Sequence, residues 1–366
     1  MNLRHCFKEL KVIELANILA GPAVGMFFAE LGAQVIKIEN KKTGGDPTRQ
    51  WKLPKEDKTK ATSAYYHSVN WNKTSMFLDL SDQQDFQRLM EELETADVII
   101  SNFKAGSAQK LQLDYSSLKK RFPQLIYASI SAYGENNPKP GFDVVIQAET
   151  GWLSMNGEEG RGPVKMPVAL MDILAAHQLK EAILIALLNR LKNGVGCQVS
   201  VSLFDTGVAS LANQATNWLN AQHLPQRMGS RHPNIAPYGE IFYTQDKQAV
   251  ILAPGTEVQF RQLCHCLDRP EILAMDDFRS NALRLSNRDQ LNKLLQPAFQ
   301  RIRLQELLKR TEKRGVPVAP IRNLAQLFEL PEAQALILEE TLPDGSKSKR
   351  VKTAIFTTDE APESST

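Results

Sequence analysis

The chain has 366 residues, 42% of them hydrophobic and 23% charged, with a formal net charge of +3. At ~150 residues per domain this length suggests two or three domains of ordinary soluble globular composition. So small a charge, with Lys and Arg interleaved among Asp and Glu, gives no case for nucleic-acid binding.

In chain order, Met1 to Cys6 carries basic residues with no apolar stretch behind them, so it is not a secretory signal. A cytoplasmic location is the resulting expectation. Lys11 to Ala16 (KVIELA) reads as a short buried strand. Pro22 to Leu31 reads as a helix with Pro in its first turn. Gln34 to Glu39 and Ser75 to Leu80 read as strands two and three. Ser81-Asp82-Gln83-Gln84 has the form of a capping box, and Phe86, Leu89, Met90 and Leu93 follow at helical spacing. Asp97 to Ser101 and Leu125 to Ser131 are further strands. Strands alternating with helices predict an α/β domain with a doubly wound, mainly parallel sheet.

A long apolar helix is predicted from Ile173 to Lys192. Its longest uninterrupted apolar run, Ala182 to Leu188, is far short of the ~20 residues that span a bilayer. From about Gly194 the character shifts. Gln198 to Leu203 reads as a strand and Asp205 to Gln222 as one helix, followed by a Gly-, Pro-, His- and Arg-rich loop from Pro225 to Tyr238. Glu240 to Tyr243 and Ala249 to Ala253 form a predicted hairpin. Charged helices fill Glu257 to Arg314, and Val316 to Ile321 is expected to lead back to the first domain. The organisation read from this is a large domain over 1–200, a smaller α+β domain over 201–320, and a return over 321–366 with a disordered tail from about 359. The four cysteines, Cys6, Cys197, Cys264 and Cys266, fit reduced thiols. Cys264-His265-Cys266 has the wrong spacing for paired zinc ligands, so no metal is expected.

Open α/β sheets bind ligands at the carboxyl ends of their strands. The first such turn, Asn17 to Gly25, lacks a Gly-x-Gly-x-x-Gly spacing. No phosphate-binding Gly-x-x-x-x-Gly-Lys and no Gly-x-Ser-x-Gly elbow occurs either. Two other strand ends suit a phosphorylated ligand: Glu39-Asn40-Lys41-Lys42, and Asn102-Phe103-Lys104 with Lys110 following. Lysine is a point-charge phosphate binder and Phe103 offers a face to a base. Each cluster alone reads equally well as a solvated rim of lysines. Asp172 ends the apolar run Pro167 to Met171 and opens the long helix, where the helix dipole favours its ionised form whereas partial burial makes it more basic. With an ordinary pKa of about 3.9 it is already anionic at neutral pH and needs no general base to attack an activated acyl group. The competing reading is a plain N-cap.

Together these residues resemble a family, the class III coenzyme A transferases, which include formyl-CoA transferase and carnitine CoA-transferase. The resemblance runs from about Leu10 to Ile355. It rests on Val12-Ile13-Glu14-Leu15, Leu19-Ala20-Gly21-Pro22, Leu31 to Glu39, Gly45-Asp46-Pro47-Thr48-Arg49, Asn70-Trp71-Asn72-Lys73 and Asn102-Phe103 before Gly106. Gly229, His232-Pro233-Asn234 and Ala236-Pro237-Tyr238 extend it.

What the resemblance implies is an acyl-CoA:carboxylate CoA-transferase in which Asp172 is the nucleophile, carrying first a mixed anhydride and then an aspartyl-CoA thioester. It implies a Rossmann-like large domain and an interlocked homodimer, no permanently bound cofactor, and an acyl-CoA and a carboxylic acid as partners. Ile18, Leu19 and Ala20 match pantetheine-side positions, and Leu78 and Asp79 the nucleotide side. Asn102, Phe103, Lys104 and Lys110 also fall on contact positions. Asn40 stands where a basic residue is common, so Lys41 or Lys42 is expected to take its phosphate contact. Pro254-Gly255-Thr256 falls at the family's small-residue loop, expected to offer backbone N–H groups to an oxyanion. Asp143 aligns with a supporting acid, although by itself it reads equally as a loop or cap residue.

The same family includes α-methylacyl-CoA racemases, which carry a His in the triplet that is here Gly141-Phe142-Asp143. Phe142 cannot accept a proton, which weakens a racemase or isomerase reading. A third reading is a non-catalytic acyl-CoA-binding relative, against which stands the retention of Asp172 and Asp143. The chain ends in Thr357-Thr358-Asp359-Glu360 where relatives continue into a Gly-Glu-His-Thr motif and a closing helix, which is expected to alter packing or coenzyme A access.

Overall fold

The computed structural model describes residues 5–342 and 344–356 of the protein, so the tail expected from about 359 lies outside the described residues. The chain divides into two compact units. One comprises the chain up to Leu153, Lys165–Leu224 and the segment from Ala335; the other comprises Ser154–Val164 and Pro225–Gln334.

The first unit begins with β1 (Lys11–Leu15), α1 (Ala20–Glu30), β2 (Gln34–Asn40) and β3 (Thr74–Leu78). It continues with α2 (Gln83–Leu93), β4 (Val98–Ser101), α3 (Tyr115–Arg121), β5 (Ile126–Ser131) and α4 (Asp143–Glu149). The long helix α5 (Leu170–Asn193) leads into β6 (Gln198–Ser202). All six strands are parallel, in the order β3-β2-β1-β4-β5-β6. Successive strand residues point to opposite faces, so runs that are apolar throughout need cover on both sides. Val12, Val35, Val98 and Ile100 pack with Val24 and Phe28 of α1 and Ala175, Leu179 and Ile183 of α5. Ile13, Ile36, Ile38 and Ile99 pack on the other face with Leu89 and Leu93 of α2. The expected doubly wound sheet is therefore present. Its order reverses between β1 and β4, where the strand ends leave a crevice suited to a ligand.

Several local expectations need correction. Asp82, not Ser81, caps α2, because the Asp82 carboxylate accepts from the N–H groups of both Gln84 and Asp85. The helix predicted over Asp205–Gln222 is two, Leu203–Ala209 and Ala212–Ala221, broken where Ala212 takes a φ of 49°. A hairpin, β10 (Ile337–Thr341) and β11 (Lys347–Val351), was not read from the sequence. It is tied to α1 by Arg350, whose guanidinium donates to Glu30 at 2.6 Å with both side chains buried.

The second unit holds an antiparallel sheet of β7 (Ile241–Tyr243), β8 (Ala249–Leu252) and β9 (Val318–Pro320), in the order β7-β8-β9. Val316 to Ile321 is thus built into this sheet, with Ile251 opposite Ala319, instead of leading directly back. The core is Phe242, Val250, Leu252, Phe260, Leu263, Leu291, Leu295 and Phe299. Phe242 and Phe299 stack with ring centroids 4.6 Å apart. No helix among the described residues is long and apolar enough to cross a membrane.

Candidate active site

Asp172 is the third residue of α5, not its N-cap. That position falls to Ala169, which offers no side-chain bond to the helix start. The exposed amides of the first turn need another acceptor, and it comes from a different helix. Asp143, first residue of α4, accepts the Met171 N–H at 2.6 Å on one oxygen and the Gln147 side-chain amide at 2.6 Å on the other. Gln147 is fully buried, and its own oxygen accepts the Met166 N–H at 2.9 Å. Asp143 and Gln147 thereby stitch the segment before α5 onto α4 and fix where Asp172 stands.

The Asp172 carboxyl does not keep its ordinary acidity. Burial, the larger cause, and the neighbouring negative charge of Asp143 push it up to about 7, with no hydrogen-bond donor among the described residues to offset them. Both effects disfavour the anion. Of the two opposed influences read from the sequence, burial therefore prevails over the helix dipole, and the carboxyl titrates near neutrality. Tyr65, which sequence reasoning passed over, belongs to the same neighbourhood. Its phenol is raised first by burial and then by the charges of Asp172, Asp143 and Asp46. Trp51 meets Tyr65 edge-on at 5.1 Å, giving this neighbourhood an aromatic wall. The only local signal for Tyr65 is Ser63, whose hydroxyl caps the short helical turn Ala64–His67.

The second feature is a cleft of about 320 Å³ at the carboxyl ends of β1 to β4, lined by Leu15, Asn17, Ile38, Asn40, Lys42, Leu78, Asp79 and Phe103 among others. Its floor is apolar and its rim carries Lys42, which pairs with Asp79 at 2.8 Å and donates to Ser81 at 2.7 Å. Asn40 turns its side chain onto the Lys42 N–H and is spent as a cap. Lys41 points to Asp85 at 3.8 Å and does not line the cleft. Leu78 is buried and lines the floor. Asn102 does not reach outward: its amide accepts from the N–H of Asn17 and donates to its carbonyl, clamping the turn after β1. Lys104 and Lys110 are exposed and both follow Phe103 in sequence.

The sequence matches CoA-transferase family III over residues 7–366. The chain belongs to that family. This family III transferase is 36% identical to the succinate–glutarate CoA-transferase of Agrobacterium fabrum, over 97% of its own length and 90% of the relative's. It is 33% identical to the human succinyl-CoA:glutarate CoA-transferase, covering 95% and 79% of the two chains. A CaiB/BaiF family protein from Brucella suis superposes with a TM-score of 0.82 at 37% identity, over 96% of this chain and 92% of that one.

The transferase's remaining candidates lie elsewhere or are differently engaged. Pro254, Gly255 and Thr256 belong to the second unit. Thr256 caps the helix Glu257–Cys266, and the Gly255 N–H already donates to the Gln259 side chain at 2.9 Å, so it is not the idle oxyanion donor expected. Phe142 stands before α4 with 61% of its surface exposed and carries no base. The block His232 to Tyr238 is anchored from behind: Arg284 donates to the Ala236 carbonyl, and Arg288 to those of His232 and Ile235.

Proposed function

We propose that this enzyme moves coenzyme A from an acyl-CoA to a free carboxylic acid, carrying the acyl group covalently on Asp172. The observation that supports it most is the Asp172 carboxyl itself, half-buried, without a hydrogen-bond donor among the described residues, and close to Asp143 at the head of α5. The fold has already stripped much of the water from this group, and a carboxylate so placed is more basic and more nucleophilic than one in solution. Ionised Asp172 attacks the thioester carbonyl, the C–S bond breaks, and a mixed anhydride and a coenzyme A thiolate result. The thiolate then attacks the Asp172 carbonyl, releasing the first acid and leaving an aspartyl-CoA thioester. The acceptor carboxylate attacks that thioester, freeing the thiolate again, which finally takes the acceptor's acyl group and restores Asp172. The acyl activation survives throughout because no step uses water.

The cleft at the strand ends suits the nucleotide end of coenzyme A, with Phe103 against the base and Lys42 toward a phosphate. Phe103→Ala is expected to raise KM for the acyl-CoA about 10-fold with kcat little changed, the base–aromatic contact being worth roughly 1–3 kcal/mol. Steady-state kinetics check this. Relatives are named for succinate and glutarate, oxalate and mesaconate, all small dicarboxylates, which supports an acceptor of that class. An interlocked homodimer fits the exposed apolar stripe Ile185, Leu188 and Leu191 on α5, and the mass from light scattering tests whether the chain is a dimer.

Asp143→Asn keeps an oxygen for the Met171 N–H while removing the charge. It is expected to move the acidic limb of the kcat/KM profile to lower pH, yet leave it above the ordinary Asp range, since burial is the larger cause. The decisive experiment incubates succinyl-CoA with labelled glutarate, oxalate or mesaconate and follows label into the thioester. Mass spectrometry of the quenched enzyme then seeks the acyl or coenzyme A adduct on the peptide holding Asp172. Exchange without any adduct on that peptide refutes the covalent route.

A further inference from the structure

Behind the first turn of the sheet lies a set of ionised groups that the chemistry above leaves idle. Glu14, Lys37 and Asp46 are almost wholly buried, as is the side chain of Lys73. The Lys37 ammonium donates to Glu14 at 2.9 Å and to the Ala16 carbonyl at 2.7 Å, and pairs with Asp46 at 3.0 Å. The Lys73 ammonium donates to the other oxygen of Glu14 at 2.7 Å and to the Pro22 carbonyl at 2.7 Å. Two ammoniums meet two carboxylates, so the cluster is neutral. Burying such a set contributes little to stability, and well-packed apolar residues often do as well or better. Its use must be sought in what it holds.

What it holds is strained. The oxygen of Asp46 that pairs with Lys37 also accepts the N–H of Ile18 at 3.1 Å. Ile18 has a φ of 75°, a left-handed conformation that is a genuine outlier for a β-branched residue and is strained. The other Asp46 oxygen is taken by the Thr48 N–H and hydroxyl at 2.9 and 2.7 Å. Asp46 cannot turn away from Ile18 without orphaning one set of donors. Asn102 clamps Asn17 just before, and the carbonyls of Ala16 and Pro22 on either side are gripped by the two lysines. The turn from β1 into α1 is thus held at four places, Ala16, Asn17, Ile18 and Pro22, and the same Asp46 is within electrostatic reach of Tyr65, as is Asp172.

We propose that Asp46 and Ile18 are positioning residues of the transferase site, the buried ion cluster holding the β1–α1 turn in a strained conformation that orders it for the coenzyme A thioester. This rests on the function proposed above. Strain that persists in a folded protein is maintained by surroundings that over-determine it, and such sites gather where ligands are clamped. Glycine adopts the same φ freely, so Ile18→Gly releases the strain and loosens the turn, whereas Ile18→Ala loses the side chain but keeps the constraint.

The test compares Ile18→Ala, Ile18→Gly, Asp46→Asn and the double variant Ile18→Gly/Asp46→Asn, by thermal melting and by kcat and KM for the acyl-CoA. Ile18→Gly is expected to melt no lower than Ile18→Ala yet to lose about 10-fold more kcat/KM, carried mainly by KM. Asp46→Asn is expected to lower kcat/KM similarly in the native background, but to cost little more once Ile18→Gly is present. Equal losses in the two Ile18 variants, or an Asp46→Asn loss that stays full in the Ile18→Gly background, overturn the proposal. If Asp46→Asn does not fold, the Ile18 pair alone decides. A wild-type enzyme without exchange activity on any thioester would instead overturn the function proposed above.

Discussion

Replacing Asp172 by Ala in the correctly assembled protein is expected to reduce acyl-CoA:acid exchange by at least about 10⁴-fold, the scale on which covalent nucleophiles are lost. Asp172→Asn, which preserves shape, should fail equally, because an amide cannot form the anhydride. In the wild type, kcat/KM should rise with pH along a limb near 7, since the protonated carboxyl does not attack and burial with Asp143 has raised it to about 7. Isotope exchange across pH 5 to 9 reads both effects. Exchange at the native rate in Asp172→Ala would remove the residue from the chemistry altogether.

The second large effect concerns stability and has the opposite sign. In the unfolded chain Asp172 titrates near 3.8, but in the fold near 7. Between those values the folded state holds the proton that the unfolded state has lost, so stability falls as pH rises through this window. The contribution is fully present below about 3.8, is lost on passing 7, and is constant beyond. A difference of about 3 pKa units sets its ceiling at about 4 kcal/mol. Asp172→Asn, neutral throughout, should therefore melt roughly 5 °C higher than wild type at pH 8 and at the same temperature near pH 4. Paired thermal melts at the two pH values test it. A variant that is less stable at pH 8 than the native protein would show that the ionised carboxylate is not strained by its surroundings. The same substitution thus trades turnover for stability, as expected where an active group is kept in an unfavourable environment.

The fold was legible where apolar residues sit together. KVIEL, VIIS and IYASIS are short runs that only a sheet covered on both sides explains, and the helices between them set its topology. Expectation failed where burial is achieved by polar groups. In β11 the inward residues are Ser348 and Arg350, and the segment reads as an exposed charged loop until Glu30 is placed opposite. The same reason hid the state of Asp172. Its acidity depends on Asp143, 29 positions earlier, and on dry surroundings that no local window contains. Lysine clusters at the strand ends suit a polyanion but do not say which member faces the cleft. That is decided by neighbours: Asn40 is consumed as a cap and Lys42 is steered by Asp79. Tyr65 gave almost no local signal.

The backbone passes between the two units after Leu153, Val164, Leu224 and Gln334. Neither unit is therefore a contiguous stretch of polypeptide, and the larger one receives its β10–β11 hairpin some 320 residues after α1, with the whole second unit in between. A ribosome must add 320 residues after Glu30 before Arg350 can find it. Nascent molecules consequently wait with α1 uncovered on that side, and truncation shortly before this hairpin should send them to chaperones or proteases instead of yielding a smaller working enzyme.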